Sequence, residues 1–384
     1  MSPMNSLTSS QPGAPPEPAG IYVHAPFCDG KCVYCAFYSV MFDPALADRW
    51  LAALESEMRR CALPEPFEPE TMYIGGGTPT ILGSRRIERL CLSLRRRFPL
   101  RCNGEWSVEA NPGTLTRGVL KTLATAGVNR LSLGAQSFDD RVLLRLGRRH
   151  TAADIPRAFD LAREEGFRNI GLDLIACVPG VGPRTWGRTL DSAIALRPEH
   201  VSVYALTFEE GARLCACRSK APLRAKPDRA QLADLCMAER LLNQAGYCRY
   251  EISNYSRPGF ECRHNLACWQ GQDYLGFGPA AASCAGLLRW TNAPDLESYL
   301  AALEGGRDPP REFDKRTPAI RAAERLIFGL RMIEGVPLEA AAGFGRKLEP
   351  LRQQRLVEIK DGRWRMTRRG LNLADAIAVE LLDD

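Results

Sequence analysis

Nowhere do the 384 residues hold an apolar run long enough to cross a membrane, and the N-terminus has no signal-peptide pattern. Residues 1–19 are rich in Ser, Pro and Gly instead, which predicts a disordered tail. No second CxxC pair stands at a spacing that closes a four-cysteine zinc site, and the fourteen cysteines are placed too irregularly for a disulfide scaffold. Several lie inside apolar helical patterns, which suits a reducing compartment, so a cytoplasmic location is expected. Lysine is rare: the 51 basic residues are nearly all Arg, and 45 acidic residues leave a net charge of only +6. Runs such as Arg95, Arg96 and Arg97 then read as a solvated helix face, and no basic recognition surface stands out, so nucleic acid is not an expected partner. Histidine numbers four, and His24 and His150 are read as structural hydrogen-bonders without a metal.

What is present suffices for a large core: 45% of residues are hydrophobic and 25% charged, and the length allows two or three domains. From residue 21 to about 206 short apolar runs alternate with amphipathic stretches, the pattern of βα units around a parallel sheet. Six strands are predicted, near 21–24, 72–75, 107–110, 130–134, 170–174 and 201–205. Between them Asp43 and Pro44 open a helix with Leu46, Trp50, Leu51, Leu54 and Met58 at helical spacing. Ser84 is expected to cap a second, with Ile87, Leu90, Cys91, Leu94 and Phe98 on one face, which makes Cys91 a core residue. Six strands are too few for a closed eight-fold barrel, so an open, partial (β/α)6 barrel of α/β class is expected, with its active site at the carboxyl ends of the strands.

The most informative stretch is Tyr22 to Phe37, YVHAPFCDGKCVYCAF, in which Cys28, Cys32 and Cys35 are spaced CxxxCxxC. Three thiolates on one short loop can meet at a single inorganic centre. A structural zinc normally takes four ligands, a catalytic zinc with three cysteines from one loop is not the common pattern, and small buried hydrophobes remain the bland alternative. An iron–sulfur cubane held by three cysteines keeps one iron open to a further ligand. Other unusual residues fall where strands end: Gly75, Gly76, Gly77, Thr78 and Pro79 after the second, Glu109 at the third, Gln136 after the fourth, and Asp173 in the fifth. Glycines there let backbone approach a ligand, and carboxylates in apolar strands call for a partner such as a cationic or hydroxyl-rich ligand.

The CxxxCxxC loop after the first strand resembles that of the radical S-adenosylmethionine (SAM) superfamily, and the framing TyrxHxProPheCys and CysxPhe resembles its HemN/HemW family. The resemblance implies a [4Fe–4S] cluster on Cys28, Cys32 and Cys35, and SAM gripped by the GGGTP string that includes Gly77. It further implies that Glu109, Gln136, Arg148 and Asp173 contact the amino-acid, ribose and adenine parts of SAM. Tyr22, Tyr34, Thr78, Pro79 and Thr207 line the same pocket by the same resemblance, and an external electron donor is required.

Beyond Thr207 the alternation stops. A long amphipathic helix is expected over 228–245, then EISNYSRPG over 251–259 and His264, Asn265, Leu266, Ala267, Cys268 and Trp269. These strings resemble the HemW-type haem chaperones, which implies haem as ligand with His264 as its axial ligand, Cys262 or Cys268 being the alternatives. No CxxCH is present for covalent attachment. Two departures from the family pattern are Cys268, where it has Tyr, and the sequence Ala176, Cys177, Val178, where it has Tyr, Gly, Leu. The C-terminal part reads as a helix over 318–335, with Ile320, Ala323, Ile327, Leu330 and Met332 largely apolar. It continues as a hairpin around Asp361 and Gly362 and a last helix from about Leu371, a winged-helix-like α+β module. The expected domains are thus the tail 1–19, the barrel 20–250, a connecting region 251–310 and the module 311–384. Two functions follow from the resemblance: a haem chaperone serving haem-acceptor proteins, membrane-associated respiratory enzymes among them, or an oxygen-independent coproporphyrinogen III dehydrogenase of porphyrin biosynthesis. Phe37 stands where the dehydrogenases carry a further cysteine, only a short tail precedes the motif, and HNxxxTrp is present; all three favour the chaperone.

Overall fold

The chain, as a computed structural model, is described over residues 19–63, 67–208 and 225–382. The expected tail lies outside the described residues except for Ala19. Strands β1 (Gly20–Ala25), β4 (Thr71–Gly76), β5 (Glu105–Ala110), β6 (Arg130–Gln136), β7 (Ile170–Ala176) and β8 (His200–Ala205) form the six expected parallel strands, side by side in that order. Two short strands, β2 (Phe27–Cys28) and β3 (Val40–Met41), pair across the base of the cysteine loop. Helices α1 (Pro44–Arg60), α2 (Gly83–Arg97), α3 (Arg117–Ala126), α4 (Asp140–Arg145), α5 (Asp154–Glu164) and α6 (Pro183–Ala195) fill the crossovers, and α7 (Asp228–Gln244) follows β8.

Local chemistry explains these elements. Asp43 caps α1 by accepting from the Leu46 N–H at 2.8 Å, with Pro44 at the first helical position. Trp50, Leu51, Leu54 and Met58 are buried as the spacing predicts, and at about 2 kcal/mol per large side chain this stripe holds α1 to the sheet. On α2 the buried face is Ile87, Leu90, Cys91 and Leu94, so Cys91 is core. Ser84 does not cap it: a 3₁₀ turn over Pro79–Leu82 runs straight into the helix, which places Ser84 inside the first turn.

The sheet extends past both ends of the six strands. The end of the expected barrel supplies β9 (Cys248–Arg249) and the expected connection supplies β10 (Asn254–Ser256), both beyond β8, then the chain forms helix α8 (Arg263–Trp269). It next returns to the far edge as β11 (Tyr274–Phe277), parallel to β1, followed by the antiparallel β12 (Ala282–Ala285), β13 (Leu288–Asn292) and β14 (Arg311–Lys315). The resulting order is β14-β13-β12-β11-β1-β4-β5-β6-β7-β8-β10-β9, an open barrel of twelve strands. Glu57 on α1 locks the return in place. Its buried carboxylate accepts from the Tyr299 hydroxyl at 2.7 Å, the Asn292 amide at 2.7 Å and the Gly278 N–H at 2.9 Å, with Arg311 3.5 Å away.

A second core gathers Leu326, Leu330, Leu348, Leu351, Trp364 and Ile377 in the C-terminal part. Its helix Pro318–Arg331 is capped by Thr317, and the hairpin Val357–Lys360 with Arg363–Met366 turns on Asp361 and Gly362, both at positive φ as a two-residue turn of this hand requires. Ile320, read as part of the apolar face, is 45% exposed because the first turn of that helix overhangs the core. Glu57→Ala is expected to cost about 3 kcal/mol in denaturant unfolding by stranding the amide of Asn292 and the Gly278 N–H, whereas Glu57→Gln should cost markedly less.

Candidate functional site

All six strands present their carboxyl ends to one mouth, and beneath it lies a cavity of about 560 Å³ on the concave face of the sheet. Cys28, Cys32 and Cys35 line it together with Tyr34, Gly77, Thr78, Glu109, Gln136, Arg148, Asp173 and Thr207, so eleven of the expected site residues converge on one space. Tyr22, Pro79 and His264 do not line it. Tyr22 sits behind, stacked on Tyr73 with centroids 6.2 Å apart and its hydroxyl 3.1 Å from His24 Nδ1, and Pro79 opens the 3₁₀ turn after Thr78. His24 and His150 are buried structural hydrogen-bonders, to the carbonyls of Tyr38 and Ala135.

The cysteine loop is held from two sides. Thr78 Oγ1 stands 3.5 Å from Cys28 Sγ, and Arg148 reaches 3.7 Å from Cys32 Sγ while donating to the Gly134 carbonyl at 2.8 Å. Burial pushes the Cys28 and Cys35 thiols up, so holding these two as thiolates calls for a compensating positive charge. Among the described residues no three His, Cys, Asp or Glu side chains stand grouped to hold a single metal ion. The three thiols instead border a roomy, half-open space beside the half-buried Arg148, whose Nε is sealed without a partner.

The glycine run is forced by its neighbours. A Cβ on Gly75 would fall 2.9 Å from the Glu109 carboxyl, one on Gly76 (φ +104) 2.7 Å from the His24 ring, and one on Gly77 2.5 Å from the Phe27 carbonyl oxygen. This packing lets the Gly76 N–H donate to Glu109 at 3.2 Å, while the Tyr73 hydroxyl donates to the same carboxylate at 2.9 Å. Burial pushes Glu109 up to about 7, Tyr73 and Gly76 opposing. Asp173 is also raised by burial and accepts from Ser132 at 3.0 Å. Gln136 adopts φ +63 at the irregular end of β6, a costly conformation that turns the strand at the mouth. Cys177, where the family pattern has Gly, carries φ +62 at the end of β7.

The same cavity is lined by residues that the sequence reading missed: Tyr73, Arg130, Ser132, His200, Ser202, Tyr204 and Asn265. Their signal was a period of two within the strands, polar at 130 and 132 and at 200, 202 and 204, visible once the concave face is known. His264 lies below this floor. Its Nδ1 is 2.9 Å from Thr71 Oγ1, its ring stacks on Tyr73 at 5.2 Å, and its N–H donates to Glu105 at 3.2 Å. At 6% exposure it has no open face for a planar ligand, and burial pushes it down to about 4. Cys262 is fully buried against Glu105, and Cys268 borders a separate small cavity with Cys284 and Arg316.

Comparison with known proteins accords with this geometry. Residues 22–193 match the Radical SAM superfamily, and residues 317–373 match the HemN C-terminal domain. The heme chaperone HemW of Mycobacterium tuberculosis (strain H37Rv) is 36% identical over 96% of both chains. That of Escherichia coli K12 is 37% identical over 81% of this chain and 85% of its own. The chain belongs to the HemN/HemW family of radical SAM proteins. Among solved structures, coproporphyrinogen III oxidase (HemN) from Escherichia coli superposes with a TM-score of 0.83 at 26% identity, over 95% of this chain and 90% of that one. Gly77→Ala is expected to cost about 2 kcal/mol in thermal unfolding by overpacking and to lower the iron bound on anaerobic reconstitution, since the clash falls on the base of the cysteine loop. His264→Ala should also destabilise by about 2 kcal/mol while leaving the absorption spectrum of added haem unchanged; a lost Soret shift would restore His264 as an axial ligand.

Proposed function

We propose that this protein is a haem chaperone of radical SAM type, which holds a [4Fe–4S] cluster and SAM, binds haem and delivers it to acceptor proteins. The observation that carries the reading is the convergence of three cysteines, the glycine run and the polar strand ends on one cavity, in a chain that matches HemW relatives nearly end to end. Cys28, Cys32 and Cys35 would hold the cluster, and the donor set fits: three thiols on one loop, with Arg148 and Thr78 beside them. Together, cluster and SAM supply one-electron chemistry at a sulfonium when bound, and an external electron donor is then needed.

The chain's own residues do the positioning. The Gly75–Gly77 backbone offers N–H and C=O groups to an amino-acid moiety without Cβ interference. Glu109 and Asp173 offer carboxylate oxygens to ammonium or hydroxyl groups, Gln136 and Thr207 border the mouth, and Tyr34 lines the cavity beside the thiols. The acceptors include membrane-associated respiratory enzymes in this reading, with the protein itself cytoplasmic and without a nucleic-acid partner. No helix among the described residues is long and apolar enough to cross a membrane.

The structural likeness to HemN favours a second reading, oxidative decarboxylation of coproporphyrinogen III. Phe37 argues against it: the side chain that replaces the dehydrogenases' further cysteine is 67% exposed at the cluster loop. Anaerobic reconstitution separates the two. The expected outcome is haem binding on optical titration without turnover of coproporphyrinogen III in the presence of SAM and reductant, and turnover with weak haem binding would overturn the chaperone. Replacing Cys28, Cys32 and Cys35 together by Ala should abolish bound iron and sulfide, and iron retained in that variant would remove the basis of the cofactor assignment.

A further inference from the structure

Where the end of α8, the strands β12 and β13 and the helix Pro318–Arg331 meet, the structure forms a second cavity, of about 100 Å³. Four arginines line it, Arg289, Arg316, Arg321 and Arg325, and Glu324 is the one carboxylate among its described lining residues. Glu324 is shared, accepting from Arg289 at 2.7 Å and from Arg316 at 2.8 Å. Just outside, the buried Asp273 pairs with Arg321 at 2.9 Å, and the exposed Asp314 pairs with Arg289. Four guanidinium groups therefore share three carboxylates, which leaves one positive charge over. The two thiols at the cavity, Cys268 and Cys284, do not make up the difference, because burial pushes both up, Cys268 to about 12.

Two of these arginines are not satisfied by the protein. The Arg316 side chain is 5% exposed; it donates to Glu324 and, at 2.7 Å, to the Gly286 carbonyl, while its Nε is buried without a hydrogen-bond partner. Arg325, exposed at the rim, has neither an ion pair nor a hydrogen bond among the described residues. Its stem lies against the chain at Gly271, where a Cβ would fall 2.6 Å from Arg325 Cγ. Buried guanidinium donors left unpaired are costly, and their planar fork suits the oxygens of a carboxylate or phosphate. The room itself comes from one residue. Cys268 stands where the family pattern has Tyr, and its short side chain borders the space that a phenol ring at this position would enter.

We propose that this cavity binds a small oxyanion, a phosphate or carboxylate group, held by Arg316, Arg321 and Arg325 and admitted by Cys268. At about 100 Å³ it takes such a group and not a haem macrocycle, so the anion is either free in solution or the end of a propionate arm whose ring lies outside. A bound anion draws Arg289 of β13 and Arg321 and Arg325 of the helix Pro318–Arg331 to one centre, and so fastens the C-terminal part to the sheet. The site stands apart from the cofactor and chaperone readings, since it shares no lining residue with the cavity beneath the cysteine loop.

The probe is inorganic phosphate, titrated calorimetrically into the full, anaerobically reconstituted chain at constant ionic strength. Wild type is expected to bind it and to unfold at a higher temperature in its presence. Cys268→Tyr, which changes no charge, and Arg325→Met are each expected to weaken binding about tenfold, the first by filling the cavity and the second by removing a charged donor. Circular dichroism checks both folds, and Arg325→Met, which strands no partner, decides should Cys268→Tyr not fold. Absence of phosphate binding in the wild type overturns the proposal, and so does a folded variant that binds as tightly as wild type. Optical titration with haem then separates the sources. Phosphate that weakens the binding of haem but not of its dimethyl ester assigns the site to a propionate, and phosphate without effect on either assigns it to a free anion. A chain that binds no haem removes the chaperone reading, while the phosphate result still decides this site.

Discussion

The barrel works under one electrostatic constraint: charges on its concave face are partly or wholly withdrawn from bulk water, so each is answered by another charge, a hydrogen bond or a ligand. Glu105 is answered by backbone N–H groups of α8, Glu109 by Tyr73 and Gly76, and Asp173 by Ser132. The cysteine loop sits directly above, so the three thiols and the polar strand ends border one cavity.

Rigidity at the mouth comes from backbone packed too closely for side chains. The glycine run at the end of β4 is wedged between His24, Phe27 and Glu109, and Gln136 and Cys177 are held in left-handed conformations at the ends of adjacent strands. Such positions cost of order 1 kcal/mol or more each and persist where the surrounding structure over-determines them. At Cys177 the side chain departs from the glycine of the family pattern, so this chain accepts strain there that a glycine would relieve.

The elements that were legible in the sequence were those with local signals. Six strands, the Asp43–Pro44 start of α1, the buried face of α2 and the hairpin at Asp361–Gly362 all declare themselves within about fifteen residues. Ser84 falls two residues past the cap it was expected to form, and Ile320, in its expected helix, is exposed, because a preceding 3₁₀ segment and an overhanging helix end depend on what packs against them. The return of the chain was invisible: β11 pairs with β1 across some 250 residues, and strands of two to five residues carry too little alternation to be read. In the site, residues just beyond apolar strands stood out by contrast. Arg130, Ser132, His200 and Ser202 did not, since which of two alternating faces is concave is decided by closure of the sheet.

By itself, the order of residues determined the inorganic chemistry on offer and the strand ends that would surround it, because thiol spacing, glycine runs and misplaced carboxylates are local facts of composition. The tertiary structure alone decided that His264 would be walled in beneath the floor and that 248–315 would complete the sheet. Each of these depends on contacts between segments far apart in the chain, and burial, not residue type, sets what a charge or an imidazole can do.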